Sequence, residues 1–215
     1  NSYATDRLLK SYLNQNWILS SSKNDSTILS IKKISFNNSF QRCTRVYFDS
    51  LNPDLFLNNF YSTESTHDSL LLDVFKSSIR YNIISNKDSI IQNLNIGWDS
   101  EILSYKNKLI DTILTNQSLS LDYSKSKINN SFRFGGNFYP LGYKKNNYEI
   151  NFLYESFILK DKKFKISGDL SEFRPVFEIN NYQSNHHFWD NKQFNNILFW
   201  NASAEISSGL FSLKS

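Results

Sequence analysis

The 215 residues carry 24 basic and 20 acidic groups, and 28 Asn and 33 Ser stand against 3 Ala, 3 Pro and 6 Gly. That balance excludes collagen-like, coiled-coil and Pro/Gly-linker chains. It excludes a disordered chain as well: aromatics reach 16% and the formal charge is only +4, whereas disordered chains are poor in aromatics and rich in net charge.

In chain order, residues 5–14 offer a short amphipathic helix, with Leu8, Leu9, Tyr12 and Leu13 to one side. Trp17, Ile18 and Leu19 enter a strand, and residues 20–25 read as a turn. Thr27 to Phe36 returns as a second strand, Asn37-Asn38 reads as a turn, and residues 42–49 add a third strand. Asn52-Pro53-Asp54 breaks the pattern. Asp68 then caps a helix over 69–82, because Leu71, Leu72, Phe75 and Ile79 recur at helical spacing. Leu94, Ile96 and Trp98 alternate as a strand. Asp99 caps a further helix with the stripe Ile102, Tyr105, Leu109 and Ile113.

From about residue 130 the period is two. Phe132 and Phe134 alternate ahead of Gly135-Gly136-Asn137, which reads as a tight turn. Tyr148, Ile150, Phe152 and Tyr154 alternate strictly. Asp161-Lys162-Lys163 signals a hairpin turn, and Phe164 and Ile166 carry the alternation on. Pro175 marks an edge strand or a bulge, and residues 196–200 and 209–213 supply two last strands. The expectation is an α+β fold, with N-terminal and central helices and mainly antiparallel β-sheet in the C-terminal half. It is read as a single domain over 1–215, with an alternative boundary near 120–128.

Chemistry-bearing motifs are scarce. Cys43 is alone, so no intrachain disulfide forms. His67, His186 and His187 come without Cys-x-x-Cys, His-Glu-x-x-His or a calcium loop, so neither a metal nor a cofactor is expected. There is no Gly-x-Ser-x-Gly elbow and no phosphate loop; catalytic residues are unknown and enzymatic activity is left open. Glu149 and Glu155 have an even spacing compatible with an acid–base pair, but solvent-facing strand positions are the preferred reading. Two binding candidates stand out. Lys162, Lys163 and Lys165 surround Phe164 and could grip RNA phosphates. His186, His187 and Trp189 lie in a stretch of aromatics and amides suited to a protein or sugar contact.

Five N-x-S/T triplets begin at Asn24, Asn37, Asn116, Asn129 and Asn201. The chain begins with Asn and has no Met, from which a cleaved targeting peptide is expected, organellar or secreted/surface. The Asn, Lys, Ile, Tyr and Phe excess is the footprint of an AT-rich genome. No apolar run of transmembrane-helix length occurs, and the visible chain reads as soluble. The functional expectation is a noncatalytic structural or interaction subunit of a larger assembly, organellar and RNA-contacting. The alternatives are a secreted or surface recognition domain for protein or glycan, and an enzyme or small-ligand-binding β-barrel-like protein. Protein partners are expected, with RNA and glycan as further candidates.

Overall fold

The structure, a computed structural model, describes residues 2–24, 28–50, 65–159, 162–177, 181–183, 188–190, 195–208 and 211–214. Their strands are β1 (Ser2–Asn24), β2 (Ile28–Ser50), β3 (Ser65–Lys87), β4 (Ile90–Asn107), β5 (Asp111–Lys127), β6 (Asn130–Gly142), β7 (Tyr148–Leu159), β8 (Lys162–Phe173), β9 (Asn181–Gln183), β10 (Phe188–Asp190), β11 (Ile197–Ser208) and β12 (Phe211–Lys214). Ten of them form one sheet in the order β1-β2-β3-β4-β5-β6-β7-β8-β11-β12, and β9 pairs with β10 in a small separate ribbon. Every pairing is antiparallel. The sheet is a meander with β1 at one edge and, at the other, the short β12, which covers only Glu205–Ser208 of β11 and leaves 197–204 at the edge.

The α+β expectation is overturned, because the segments read as helices are strands. Residues 5–14 lie within β1 and residues 69–82 within β3. The helical reading failed on a numerical coincidence. A spacing of four is also two pleats, so Leu71, Phe75 and Ile79 line one face of a strand as readily as one stripe of a helix. Ser and Asn are weak helix formers and Ile83 and Ile84 favour strands, so propensity decides for the sheet. The stripe from Ile102 to Ile113 crosses a turn between β4 and β5. There Asn107 Oδ1 accepts from the Leu109 and Ile110 backbone N–H groups at 2.9 and 2.6 Å, an Asn-built turn. Asn37-Asn38 and Gly135-Gly136 are not turns either. They lie inside β2 and β6. The antiparallel C-terminal sheet is as expected, and β7 pairs with β8; Lys162 and Lys163, read as part of the turn, lie in β8, and Asp161 lies outside the described residues.

The two ends of the sheet differ. At one end the connections span only 25–27, 88–89, 128–129, 160–161 and 209–210; at the other they span 51–64, 108–110, 143–147 and 174–196. The β3–β4 turn is a two-residue loop with Asp88 and Ser89 at φ 50° and 64°, left-handed at both positions as the strand twist demands. We refer below to the short-turn end and the long-loop end.

Candidate functional site

Register sorts the side chains onto two faces. One bears a row of directly paired residues across nine strands: Trp17, Ile34, Tyr81, Ile96, Leu121, Gly136, Ile150, Leu170 and Trp200. Apolar rows flank it, with Phe36, Ile79, Trp98, Leu119 and Phe138 on one side and Ile83, Leu94, Tyr123, Phe134 and Phe152 on the other. This face is open to its surroundings, and Trp200 is 72% exposed.

The opposite face is polar and more deeply buried. Asn116, Ser118 and Ser120 on β5 are 3%, 6% and 5% exposed. A cleft of about 470 Å³ lies on it, lined by β1 (Tyr12, Asn14) on one side and β6 (Asn137, Tyr139) on the other. Strands five apart in order wall the same cleft, so the sheet curls and the polar face is its concave, inner side. Around the cleft, polar groups therefore line the concave side of the sheet and the apolar rows its convex side.

Ion pairs hold the inner wall together. Glu101 on β4 accepts from Lys76 Nζ on β3 and from Lys144 Nζ, both at 3.0 Å. Asn116 donates to the same carboxylate at 2.9 Å and accepts from the Lys144 backbone N–H at 2.8 Å. Arg80 pairs with Asp99 at 3.1 Å. Asn14, Asn37 and Ser78 continue the lining as a chain of side-chain hydrogen bonds. Three polar atoms buried on this face, Asn93 Oδ1, Asn95 Oδ1 and Ser120 Oγ, have no protein partner among the described residues. Such atoms favour solvent or a polar solute beside them.

At the long-loop end, segments fold over the inner face. The Tyr143 hydroxyl donates to the Pro175 carbonyl at 3.0 Å, and the Arg174 guanidinium lies 4.4 Å from the Tyr143 ring centroid. Phe177 meets Tyr105 and Tyr143 edge-on at 5.2 and 6.0 Å, and Tyr105 is fully buried. Gly142, at φ 103°, fits because a Cβ there would lie 1.9 Å from the Thr115 carbonyl oxygen.

The residues singled out from sequence fall elsewhere. Lys163 and Lys165 sit on the inner face at the short-turn end, where Lys163 pairs with Glu155 at 2.9 Å. Lys162, one residue earlier, belongs to the outer face. Glu149 and Glu155 share the inner face, as their spacing implied. His186 and His187 lie outside the described residues, and Trp189 is placed by its backbone alone, opposite Tyr182. Among the described residues, no group of three His, Cys, Asp or Glu is placed to hold a metal ion. The sequence reading missed Lys76, Arg80, Asp99, Glu101 and Asn116. Their signal was the alternation of Asp99 and Glu101 with Trp98, Ser100 and Ile102, concealed by the helical reading. Comparison of the chain with protein-family models, with curated proteins and with solved structures finds no match.

Proposed function

We propose that this sheet is the wall of a membrane-spanning β-barrel, its outer face against lipid and its inner face lining a polar interior. No helix among the described residues is long and apolar enough to cross a membrane, a statement confined to helices. The observation that carries the reading is the outline of the apolar band. On the outer face no charged residue occurs from 75 to 85 on β3, 90 to 104 on β4, 113 to 123 on β5, 148 to 156 on β7, 164 to 170 on β8 or 198 to 206 on β11. Eleven residues cover roughly 34 Å along a strand. Tilted by 35–45°, they give a slab of about 25 Å, the height of a barrel's lipid-facing band.

The band also runs obliquely to the strands. Its long-loop border passes from Phe75 on β3 to Leu170 on β8, which is in register with Tyr81. Its short-turn border passes from Ile83 to Phe164, four residues from Gly168, the residue in register with Ile83. The displacement is taken up after β5, where Ile113 is still level with Asp73 on β3. A planar slab crossing tilted strands displaces its borders along the sheet. Tyr148 and Tyr154 flank Ile150 and Phe152 on β7, at the levels where aromatic belts lie. Short turns at one end and longer connections at the other complete the pattern.

The reading requires the outer edge of β1 to be paired within the bilayer, since unpaired backbone groups are not tolerated there. β1 and β12 run in opposite senses, as closure of an even-stranded antiparallel barrel demands. A second reading keeps the interaction subunit of a larger assembly, with protein covering the exposed apolar face. The RNA-contact idea rests on the Lys162–Lys165 cluster, where Lys163 is already paired with Glu155.

The test is refolding of the full chain into phosphatidylcholine vesicles carrying brominated acyl chains. Quenching of Trp98 and Trp200, with protease protection of the strands, is the expected result. A folded protein that stays in the aqueous phase and binds no vesicle overturns the bilayer and favours the assembly subunit.

A further inference from the structure

The borders of the apolar band differ in charge. Beyond the long-loop border, the outer face carries Arg7, Arg42 and Lys106 against Asp73, Asp111 and Glu172. Arg42 and Asp73 form a bidentate pair at 2.7 and 2.6 Å, and Lys106 meets Asp111 at 2.9 Å. This rim is formally neutral. Beyond the short-turn border stand Lys32, Lys87, Lys125, Lys127 and Lys162. None of these five makes an ion pair among the described residues, and no described acid shares their face there. Asp88 stands in the adjoining β3–β4 turn. A shallow hollow beside Lys87 is lined by Ser85, Asp88, Ile90 and Gln92.

We infer that the short-turn rim is a docking surface for a lipid leaflet rich in anionic phospholipid, the five lysines meeting headgroup phosphates while the apolar band enters the acyl chains. This rests on the bilayer reading and adds the chemistry of the leaflet. Lysine suits the task, because its four-carbon stem lies along the apolar band while the ammonium reaches the headgroups. Continuity with the apolar band selects lipid over an acidic protein partner. The lysines stand along the short-turn side of the band from β2 to β8, a rim and not a compact patch. Each lysine near an anionic surface adds to attachment, and the additions are screened by salt.

The experiment compares the full chain binding to phosphatidylcholine vesicles with and without phosphatidylglycerol at low salt. Anionic lipid is expected to raise the partition coefficient by about tenfold or more, and 0.5 M salt to erase the gain. Combined K32Q, K87Q, K125Q, K127Q and K162Q substitutions are expected to remove the gain yet leave insertion into neutral vesicles unchanged. Equal partition of the native chain into both vesicle types, or a gain that survives in the variant, overturns the lysine rim. Failure to enter either vesicle type overturns the bilayer reading itself, and the rim with it.

Discussion

Phe152 on β7 and Gly168 on β8 are direct cross-strand partners, and the phenyl ring lies over the glycine. A Cβ at position 168 would fall 2.4 Å from ring atom Cε1 and 2.9 Å from Cζ. The glycine makes room for an aromatic on the outer face, and the ring covers the backbone that glycine leaves bare. Gly168→Val must push the ring off its site. It is expected to destabilise the folded chain by about 1–3 kcal/mol, the usual range for overpacking. Urea titration in detergent or vesicles checks this, and Phe152→Ala in the same background should recover part of the loss.

Leu121 and Ser124 on β5 face opposite sides of the sheet. Leu121→Arg puts a cation in the middle of the apolar band and is expected to cost about 2–4 kcal/mol of folding into a bilayer. Ser124→Arg puts the same charge on the polar face and is expected to cost well under half of that. Equilibrium folding into vesicles measures both. Equal costs would remove the distinction between the faces.

Glu101 receives two lysines from different segments, one of them Lys144 in the β6–β7 connection. Glu101→Gln keeps the shape and can keep the contact to Asn116, but leaves Lys76 and Lys144 without their counter-charge. A loss of about 1–2 kcal/mol is expected, because both ammonium groups retain access to solvent. Hydrogen exchange should rise first over 143–147, the connection that Lys144 anchors. Unchanged exchange there would mean that the backbone bond to Asn116 suffices.

The Arg42–Asp73 pair gives a pH dependence with a definite sign. The hydrogen bonds from Arg42 hold the Asp73 carboxyl below its ordinary value; slight burial opposes them, and the guanidinium charge adds to the lowering. A carboxyl lowered by folding contributes stability above its unfolded value, near 4, and loses that contribution as pH falls through the folded value. Asp73→Asn should therefore reduce stability at pH 7 and flatten part of the decline below about pH 4. Denaturant midpoints of both proteins from pH 7 to pH 2.5 test this, and parallel curves would contradict it.

The C-terminal sheet was legible because Tyr148, Ile150, Phe152 and Tyr154 recur at every second position, with Leu153 the one apolar residue between them. Nothing but period two fits that run. The N-terminal half was not legible, for two physical reasons. Its apolar outer-face residues are spaced by four at Leu71, Phe75 and Ile79, a distance common to both periods. Residues such as Leu8 and Leu72 also place apolar groups on the inner face, which fills in the gaps of the alternation. The inner-wall charges were hidden by the same ambiguity. Lys76 and Glu101 are partners only because β3 and β4 pair in register, and pairing register is set by strand assembly and not by local sequence.

Because each strand of the meander lies beside its neighbours in sequence, the sheet has no crossovers to thread. Growth can advance one hairpin at a time, each new strand meeting the backbone groups left open by the strand before it. An intermediate at any stage then carries only its two terminal edges, whatever its width. In a medium that penalises bare peptide groups, a partly built wall costs little more in unpaired backbone than a nearly complete one.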